Sequence, residues 1–279
     1  MRGRVLISTA VAAVGLAGIS SGVVYAADMP VKAPVYKAPP VVEAYGWTGF
    51  YVGINGGWAR STRDTVDFSP ASADAVALFA PFASVPASLG TSAKGGLAGG
   101  QIGYNWQGAS NLVYGVELDL DWARVAGSGS ILLDAPGFVP FTTTAEQKLS
   151  ALGTLRGRVG LGFDRALLYV TAGFAYGRAE LSTSVIGLNP GCGPAGLCVI
   201  QSTSKWLTGW TAGGGIELAL APNFSFKAEY LYYDLGELSH TAFDPGFPID
   251  LIRSSAEFKG SVVRAGLNVG FGGPVVANY

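Results

Sequence analysis

Hydrophobic and polar residues alternate along most of this chain from Trp47 onward. The clearest run covers residues 112–122, where Leu, Tyr, Val and Trp side chains occupy every second position. Glu117, Asp119 and Asp121 lie between these apolar residues. A β-strand places successive side chains on opposite faces, so this segment has one apolar face and one acidic face.

Eight runs of this kind are present, and each is long enough to cross a bilayer as a tilted strand, which takes roughly 9–11 residues. In the fourth and sixth runs the polar face carries Arg156, Arg158 and Glu217. The runs cover residues 47–58, 95–107, 111–124, 147–163, 166–181, 205–220, 223–235 and 257–271.

The connections between the runs alternate in length. The short ones are 107–111, 164–165 and 221–222, and the long ones are 59–94, 125–146, 182–204 and 236–256. Outer-membrane barrels have short periplasmic turns and longer extracellular loops. The sequence therefore predicts an all-β fold, an eight-stranded antiparallel transmembrane β-barrel with short periplasmic turns and long extracellular loops.

The distribution of charge and aromatic residues favours a membrane barrel over a soluble one. Only 13% of residues are charged and the mean hydropathy is +0.35, although no segment beyond the N-terminus is typical of a membrane helix. A lipocalin-like barrel would turn its apolar faces inward, whereas here the charged faces also carry the glycines that a crowded lumen needs. The apolar faces carry aromatic residues near the strand ends, as membrane girdles do. These are Trp58, Trp106, Trp122, Phe163, Trp206, Phe224 and Phe271.

The two ends of the chain differ in composition from the part between them. Arg2 and Arg4 precede an apolar stretch, and Ala26 ends a small-x-small cleavage site, which is the pattern of a secretory signal peptide. The predicted organisation is a signal peptide at 1–26, a Pro-rich periplasmic linker at 27–46, a barrel at 47–271 and a C-terminal extension at 272–279.

Charged residues of opposite sign are predicted to meet inside the barrel. Three pairings are expected between neighbouring strands: the acids of run three with Arg156 and Arg158, Glu217 with Lys227, and Glu229 with Arg264. An eight-stranded barrel is just wide enough for side chains to fill it, and buried charges must be paired. We therefore predict a lumen network without a wide pore, with a narrow charged channel as the alternative. Its members are Glu117, Asp119, Asp121, Arg156, Arg158, Glu217, Lys227, Glu229 and Arg264.

Few residues offer other chemistry. Cys192 and Cys198 have five residues between them and are expected to form a local disulfide in an oxidising envelope. His240 follows Ser239 directly, which suits a surface loop better than a catalytic pair, since adjacent residues of an extended segment do not face each other. No metal ligand set, cofactor site or catalytic residue is predicted. The net charge of −1 gives no basic footprint for nucleic acid.

Both ends of the chain resemble a known family. Residues 264–271 resemble the last-strand assembly signal of outer-membrane barrels, with Gly266, Val269 and Phe271 in its spacing. Residues 27–30 (Ala-Asp-Met-Pro) and 47–53 (Trp-Thr-Gly-Phe-Tyr-Val-Gly) are similar to the opening of the outer-membrane immunogenic proteins of alphaproteobacteria, relatives of the opacity and surface-antigen barrels. One departure is that residues 272–279 follow the terminal aromatic residue.

The resemblance implies a structural surface barrel of the outer membrane that contributes to envelope integrity and to surface or host interaction. Its expected partners are outer-membrane lipid and lipopolysaccharide, the barrel-assembly machinery, and host or surface ligands bound through the loops. Two alternatives remain: a small porin or ligand-uptake barrel, and a lipid-modifying enzyme that uses Ser239 and His240.

Overall fold

The computed structural model describes residues 45–73, 75–76, 85–108, 110–134, 140–188, 192, 198–244 and 247–271, with the side chains of 244 and 247–251 excepted. The predicted signal peptide, linker residues 27–44 and the C-terminal extension lie outside this part of the chain. Among the residues described, no helix has the length and apolar character needed to span a membrane.

The described residues form ten β-strands in one antiparallel sheet. Their bounds are β1 Gly49–Ser61, β2 Thr65–Pro70, β3 Ser88–Gly90, β4 Lys94–Gln107, β5 Leu112–Leu133, β6 Phe141–Phe163, β7 Ala166–Gly187, β8 Cys198–Ala221, β9 Phe224–Asp244 and β10 Phe247–Gly270.

Eight of the ten strands close into a ring. The order is β1-β4-β5-β6-β7-β8-β9-β10, and β10 pairs back onto β1 from Tyr51↔Gly270 to Ser61↔Gly260. The all-β antiparallel fold predicted from the alternation is confirmed, but the strand count of eight is wrong. The connection predicted as loop 59–94 contains β2 and β3, and β2 pairs with β10 at the end of the ring away from the tight turns.

The strands are also longer than predicted, so three of the four long connections are much shorter than expected. Only 134–140, 188–197 and 245–246 separate the strands where loops of about twenty residues were predicted. β8 and β10 each have 24 residues, about twice what a bilayer crossing requires. The strands therefore continue well beyond the membrane at the end that carries the longer connections, which is the extracellular end.

The side of the sheet that carries apolar residues changes along each strand. In β7, Leu168 and Val170 point outward and are 59% and 66% exposed, whereas Leu181 and Val185 point inward and are buried. Odd positions of β7 face inward along its whole length, so it is the apolar residues that move from the outer to the inner face. We call the strand portions with outward apolar residues the membrane-level part, and the portions beyond them the extracellular extension.

A bend in β9 closes the extracellular extension. Pairing between β8 and β9 stops at Trp210↔Asp234, where Gly236 adopts a φ of +83° that favours glycine and its N–H donates to Asp234 Oδ1 at 2.9 Å. Leu235 and Leu238, on either side of Gly236, are buried inside the ring. They belong to a continuous apolar core with residues from β2, β5, β6, β7, β8 and β10.

Candidate functional site in the barrel lumen

Glu117 on β5 lies at the centre of the charged side chains inside the membrane-level part. Lys227 Nζ on β9 donates to both of its carboxylate oxygens, at 2.8 and 2.9 Å, and Tyr51 Oη donates to Oε2 at 2.6 Å. Arg156 Nη2 on the neighbouring β6 also bonds Oε1. All four side chains are buried. One carboxylate of β5 is therefore shared by two cations and a phenol from three other strands.

Arg156 connects this centre to two further acids. Its Nη1 donates to Glu229 Oε1 at 2.7 Å, and its Nη2 donates to Asp119 Oδ2 at 2.9 Å. Its Nε donates to Thr154 Oγ1 at 2.8 Å, and that hydroxyl donates to Asp119 at 2.6 Å. The guanidinium is thereby satisfied from both sides of the lumen, because Asp119 is on β5 and Glu229 is on β9.

Arg264 on β10 occupies the extracellular side of the network. It donates to Glu229 through Nε at 2.8 Å, to Asp119 at 3.0 and 3.1 Å, and to Asp121 Oδ2 at 3.0 Å. Planar guanidinium groups can hold several carboxylates at fixed angles, which an ammonium cannot do. Arg264 therefore ties the acidic face of β5 to β9 across the closure of the barrel.

Arg158 on β6 occupies the periplasmic side. Its Nη1 donates to Glu217 Oε2 at 3.0 Å and its Nε donates to Asn105 Oδ1 at 2.7 Å. The guanidinium lies between the rings of Tyr51 and Tyr169, 4.9 and 5.2 Å from their centroids, within cation–π range. Glu217 also accepts hydrogen bonds from Ser225 and Asn268, at 2.6 and 2.8 Å.

The structure brings all nine charged residues together, but the expected pairing of Glu217 with Lys227 is wrong, and so is that of Asp121 with the arginines of β6. Glu217 and Lys227 are opposite each other in the β8–β9 register, yet Lys227 reaches across the lumen to Glu117. Asp121 bonds Arg264 and not the arginines of β6. In a barrel this narrow, a long side chain contacts the opposite wall as easily as its own neighbour.

The neutral members of the network were not identified from the sequence. They are Tyr51, Asn105, Thr154, Tyr169, Ser225 and Asn268. Each lies at an inward-facing position of its strand. The alternation that predicted which charged residues face inward could therefore have identified these neutral residues too. With them, every strand of the ring contributes a polar group to the network.

Glycines make room for the two tyrosines that hold the acids. A Cβ atom on Gly103 would overlap the phenol group of Tyr51, and one on Gly215 would lie 2.8 Å from Tyr169 Oη. Tyr169 Oη donates to Glu229 at 3.1 Å. The glycine-rich polar faces noted in the sequence therefore provide space for the rings inside the lumen.

An aromatic residue lies at the periplasmic mouth. Trp47 precedes β1 and is buried against Val113, Leu167, Tyr169 and Ala219, and its backbone N–H donates to Gln107 Oε1 at 2.8 Å. The sequence placed Trp47 at the start of the first strand, whereas the strand begins at Gly49. A small cavity beside the indole ring is lined by polar groups that include Glu217 and Asn268.

The other predicted residues lie apart from the network. Cys192 and Cys198 form a disulfide at the extracellular end of β8. Ser239 and His240 point to opposite faces of β9, and His240 Nε2 is 2.8 Å from Thr183 Oγ1. Within the described residues, no group of three or more His, Cys, Asp or Glu side chains could hold a metal ion.

The residues of the predicted assembly signal lie on the last strand and just after it. Val269 faces outward, and Phe271 is exposed next to Phe50, with ring centroids 6.0 Å apart. The Phe271 N–H donates to the Phe50 carbonyl at 2.7 Å, next to the last β1–β10 pair. Gly266 faces inward, where a Cβ would lie 3.0 Å from the Ile54 carbonyl oxygen.

Comparison with known proteins identifies the family of this barrel. The outer membrane protein beta-barrel domain matches residues 14–271, which is nearly the whole chain. The chain belongs to that family. It is an outer-membrane protein, and the resemblance found at its two ends is confirmed.

Curated relatives come from alphaproteobacteria. The chain is 32% identical over 255 residues to the 31 kDa outer-membrane immunogenic protein of Brucella melitensis, covering 88% of this chain and 92% of that protein. It is 30% identical over 202 residues to the 22 kDa outer membrane protein of Rhizobium leguminosarum bv. viciae, covering 70% and 67%. Both relatives are named as outer-membrane proteins, which agrees with the location inferred from the sequence.

Solved structures with a similar fold are more distant. Neisserial surface protein A has 17% identity, a TM-score of 0.33, and coverage of 81% of this chain and 99% of that one. The outer membrane protein OprG of Pseudomonas aeruginosa has 12% identity, a TM-score of 0.46, and coverage of 81% and 98%.

Proposed function

We propose that this protein is a closed structural barrel of the outer-membrane surface, which contributes to envelope integrity and presents its extracellular extension to surface or host ligands. The observation that carries the proposal is the filled interior. Nine charged side chains and their neutral partners occupy the membrane-level lumen, and all nine are buried.

Two further features support a closed barrel. Trp47 is buried at the periplasmic mouth, below the charged network. Above the network, the core of the extracellular extension fills the ring with Leu, Val, Ile and Phe side chains. A hydrated path would have to pass through three layers of different chemistry, and the side chains that fill these layers oppose the passage of ions.

No catalytic role is included in the proposal. Because Ser239 faces outward and His240 faces inward, the two cannot form a nucleophile–base pair on β9. The relatives are described as immunogenic or outer-membrane proteins, and a structural role is consistent with those descriptions.

The last strand supports a further element of the proposal, a contact with the barrel-assembly machinery. Val269 and Phe271 present an outward apolar pair beside the strand that closes the ring. Phe271→Ala is expected to reduce the amount of folded barrel in the outer membrane while leaving the refolding of purified protein in detergent unchanged. An equal loss of folded protein in the outer membrane and in detergent would show that Phe271 contributes only to the stability of the barrel.

Liposome swelling tests the closed barrel against the porin alternative. Vesicles containing the folded protein would be diluted into solutions of arabinose, glucose or charged amino acids, and heat-modifiability on gels would verify the fraction folded. Swelling at the rate of empty vesicles is expected. Swelling that depends on solute size would establish a small porin and reject the closed structural barrel.

A further inference from the structure

Basic side chains are concentrated at the outer rim of the membrane-level part. Arg60 on β1, Lys94 on β4, Arg124 on β5, Lys148 on β6 and Arg178 on β7 are all exposed, and each is the first charged outward-facing residue beyond the apolar stretch of its strand. We call these five residues the basic arc. It spans five consecutive strands of the ring.

The level of the arc coincides with the outer membrane boundary. In β1, outward-facing positions from Phe50 to Trp58 are apolar or glycine before Arg60. Ten residues of strand cover about 33 Å, or about 25 Å of bilayer at a tilt of about 40°, which is the height of the apolar band of such barrels. Trp58 and Trp122, which is 76% exposed, lie two residues below Arg60 and Arg124. The arc is therefore at headgroup level in the outer leaflet.

The arc lacks the internal compensation that the lumen has. Arg60 and Lys94 are direct partners in the β1–β4 register, where two like charges on the same face destabilise the sheet. Within the described residues no ion pair involves any member of the arc, and Glu180, opposite Lys148, is the acid nearest in register. On the other side of the barrel Asp234 occupies this level on β9, and Lys259 is paired with Glu257.

We propose that the basic arc binds the anionic headgroup of a phosphorylated glycolipid of the outer leaflet, with the acyl chains on the apolar surface below it. Phosphate groups would supply the counter-charge that Arg60, Lys94 and Arg124 do not find in the protein. Arginine suits such a ligand because its planar donors match phosphate oxygens. The inference rests on the proposed surface role in the outer leaflet and makes no use of a closed lumen.

The test compares lipid binding by two variants with the same change in charge. Arg60→Gln, Lys94→Gln and Arg124→Gln together remove three charges from the arc. Arg63→Gln, Arg165→Gln and Arg253→Gln remove three exposed charges that lie outside the arc. Folded protein in zwitterionic micelles would be titrated with diphosphoryl lipid A, with bound lipid counted by native mass spectrometry.

The arc variant is expected to bind lipid A on the order of a hundredfold more weakly, from about fivefold for each basic residue near an anionic surface. The control variant should bind like the wild type. Dephosphorylated lipid A should bind the wild type as weakly as lipid A binds the arc variant. Inorganic phosphate alone should not compete at equal concentration, because the site combines charge with apolar contact.

Equal affinity of the arc and control variants would overturn the proposal, as would equal binding of phosphorylated and dephosphorylated lipid by the wild type. The second comparison needs no variant, so it decides the question even if the triple variant does not fold. A porin activity found in the swelling assay would reject the closed barrel without changing either lipid result, so the two proposals fail separately.

Discussion

The lumen at membrane level and the core of the extracellular extension are built from the same strands, but they are filled by different groups. In β7, Tyr169 points inward to Glu229 in the membrane-level part, while Leu181 points inward to apolar neighbours further along. The outward-facing residues change in the opposite sense, from Leu168 at membrane level to Ser182 beyond it.

The difference shows that the surrounding solvent decides which face is apolar. Where lipid surrounds the ring, apolar residues face outward and the polar ones meet inside, so each buried charge needs a partner. Where water surrounds it, the apolar residues move inward and stability depends on packing. The two regions should therefore lose stability through different substitutions: loss of a charge partner at membrane level, and loss of apolar packing in the extracellular extension.

Removing the central acid of the lumen should have the largest effect. Glu117→Gln leaves Arg156 and Lys227 buried without their shared carboxylate, which should lower the free energy of unfolding by about 3–5 kcal/mol. Urea titration in lipid vesicles, read from folded and unfolded bands on gels, measures it. Glu237→Gln at an exposed site of β9 is the control. Equal midpoints for the two variants would contradict the network account.

A cavity in the extracellular core should have the next largest effect. Leu181 is fully buried, so Leu181→Ala should cost about 3 kcal/mol by the loss of contacts and the space left behind. Ile200→Ala is the matched control, because Ile200 faces outward on the neighbouring strand and is exposed. Protease cleavage of the extracellular extension, together with the urea midpoint, reports the change. A control that loses as much stability would show that this core is not packed.

The disulfide should contribute less. Cys192 and Cys198 close a loop of only six residues' separation, and the loop-entropy model gives about 2 kcal/mol for so short a loop. The Cys192→Ser, Cys198→Ser double variant should be cleaved faster by protease near 190–198. Cleavage of the membrane-level part should be unchanged. Identical proteolysis of wild type and variant under oxidising conditions would mean that the bond does not form.

The smallest effect should be a pH dependence confined to the extracellular extension. Burial lowers the pKa of His240, so the folded chain binds its proton less readily than the unfolded chain. Stability is then fully present above the ordinary histidine value of about 6.5 and is lost as pH falls below it. The protection of upper β9 against hydrogen exchange, corrected for the intrinsic pH dependence of the exchange rate, should decrease as pH falls from about 6.5 to about 5. His240→Gln should remove that decrease, and an equal decrease of protection in the variant would exclude His240.

The sequence predicted the membrane-level part better than the extension. Alternation placed Glu117, Arg156 and Glu229 on inward faces, because lipid requires the opposite face to be apolar. The segments 141–146 and 198–204 are rich in Ser and Thr at outward positions, which is typical of loops, and their strands were missed. Their inward residues, such as Ala145 and Val199, are buried in a core shared with strands distant in the sequence, which no local pattern reveals.

Some ion-pair partners of the lumen charges could not be predicted from the sequence either. Glu217 and Lys227 are neighbours along the wall, as predicted from strand order. Their actual partners, Arg158 and Glu117, depend on how the ring closes and how far each side chain extends across it. Register alone gives neighbours in a sheet, whereas contacts across a lumen require the closed geometry.

Single-channel recording tests the filled lumen most directly. The folded protein would be added to planar bilayers, alongside a Glu117→Ala, Arg156→Ala variant that enlarges the membrane-level lumen but leaves the extracellular core intact. The account predicts no steady conductance from either protein, because Trp47 and the extracellular core remain in place. A stable, reproducible conductance from the wild-type barrel would contradict it and show that the paired charges line an open path.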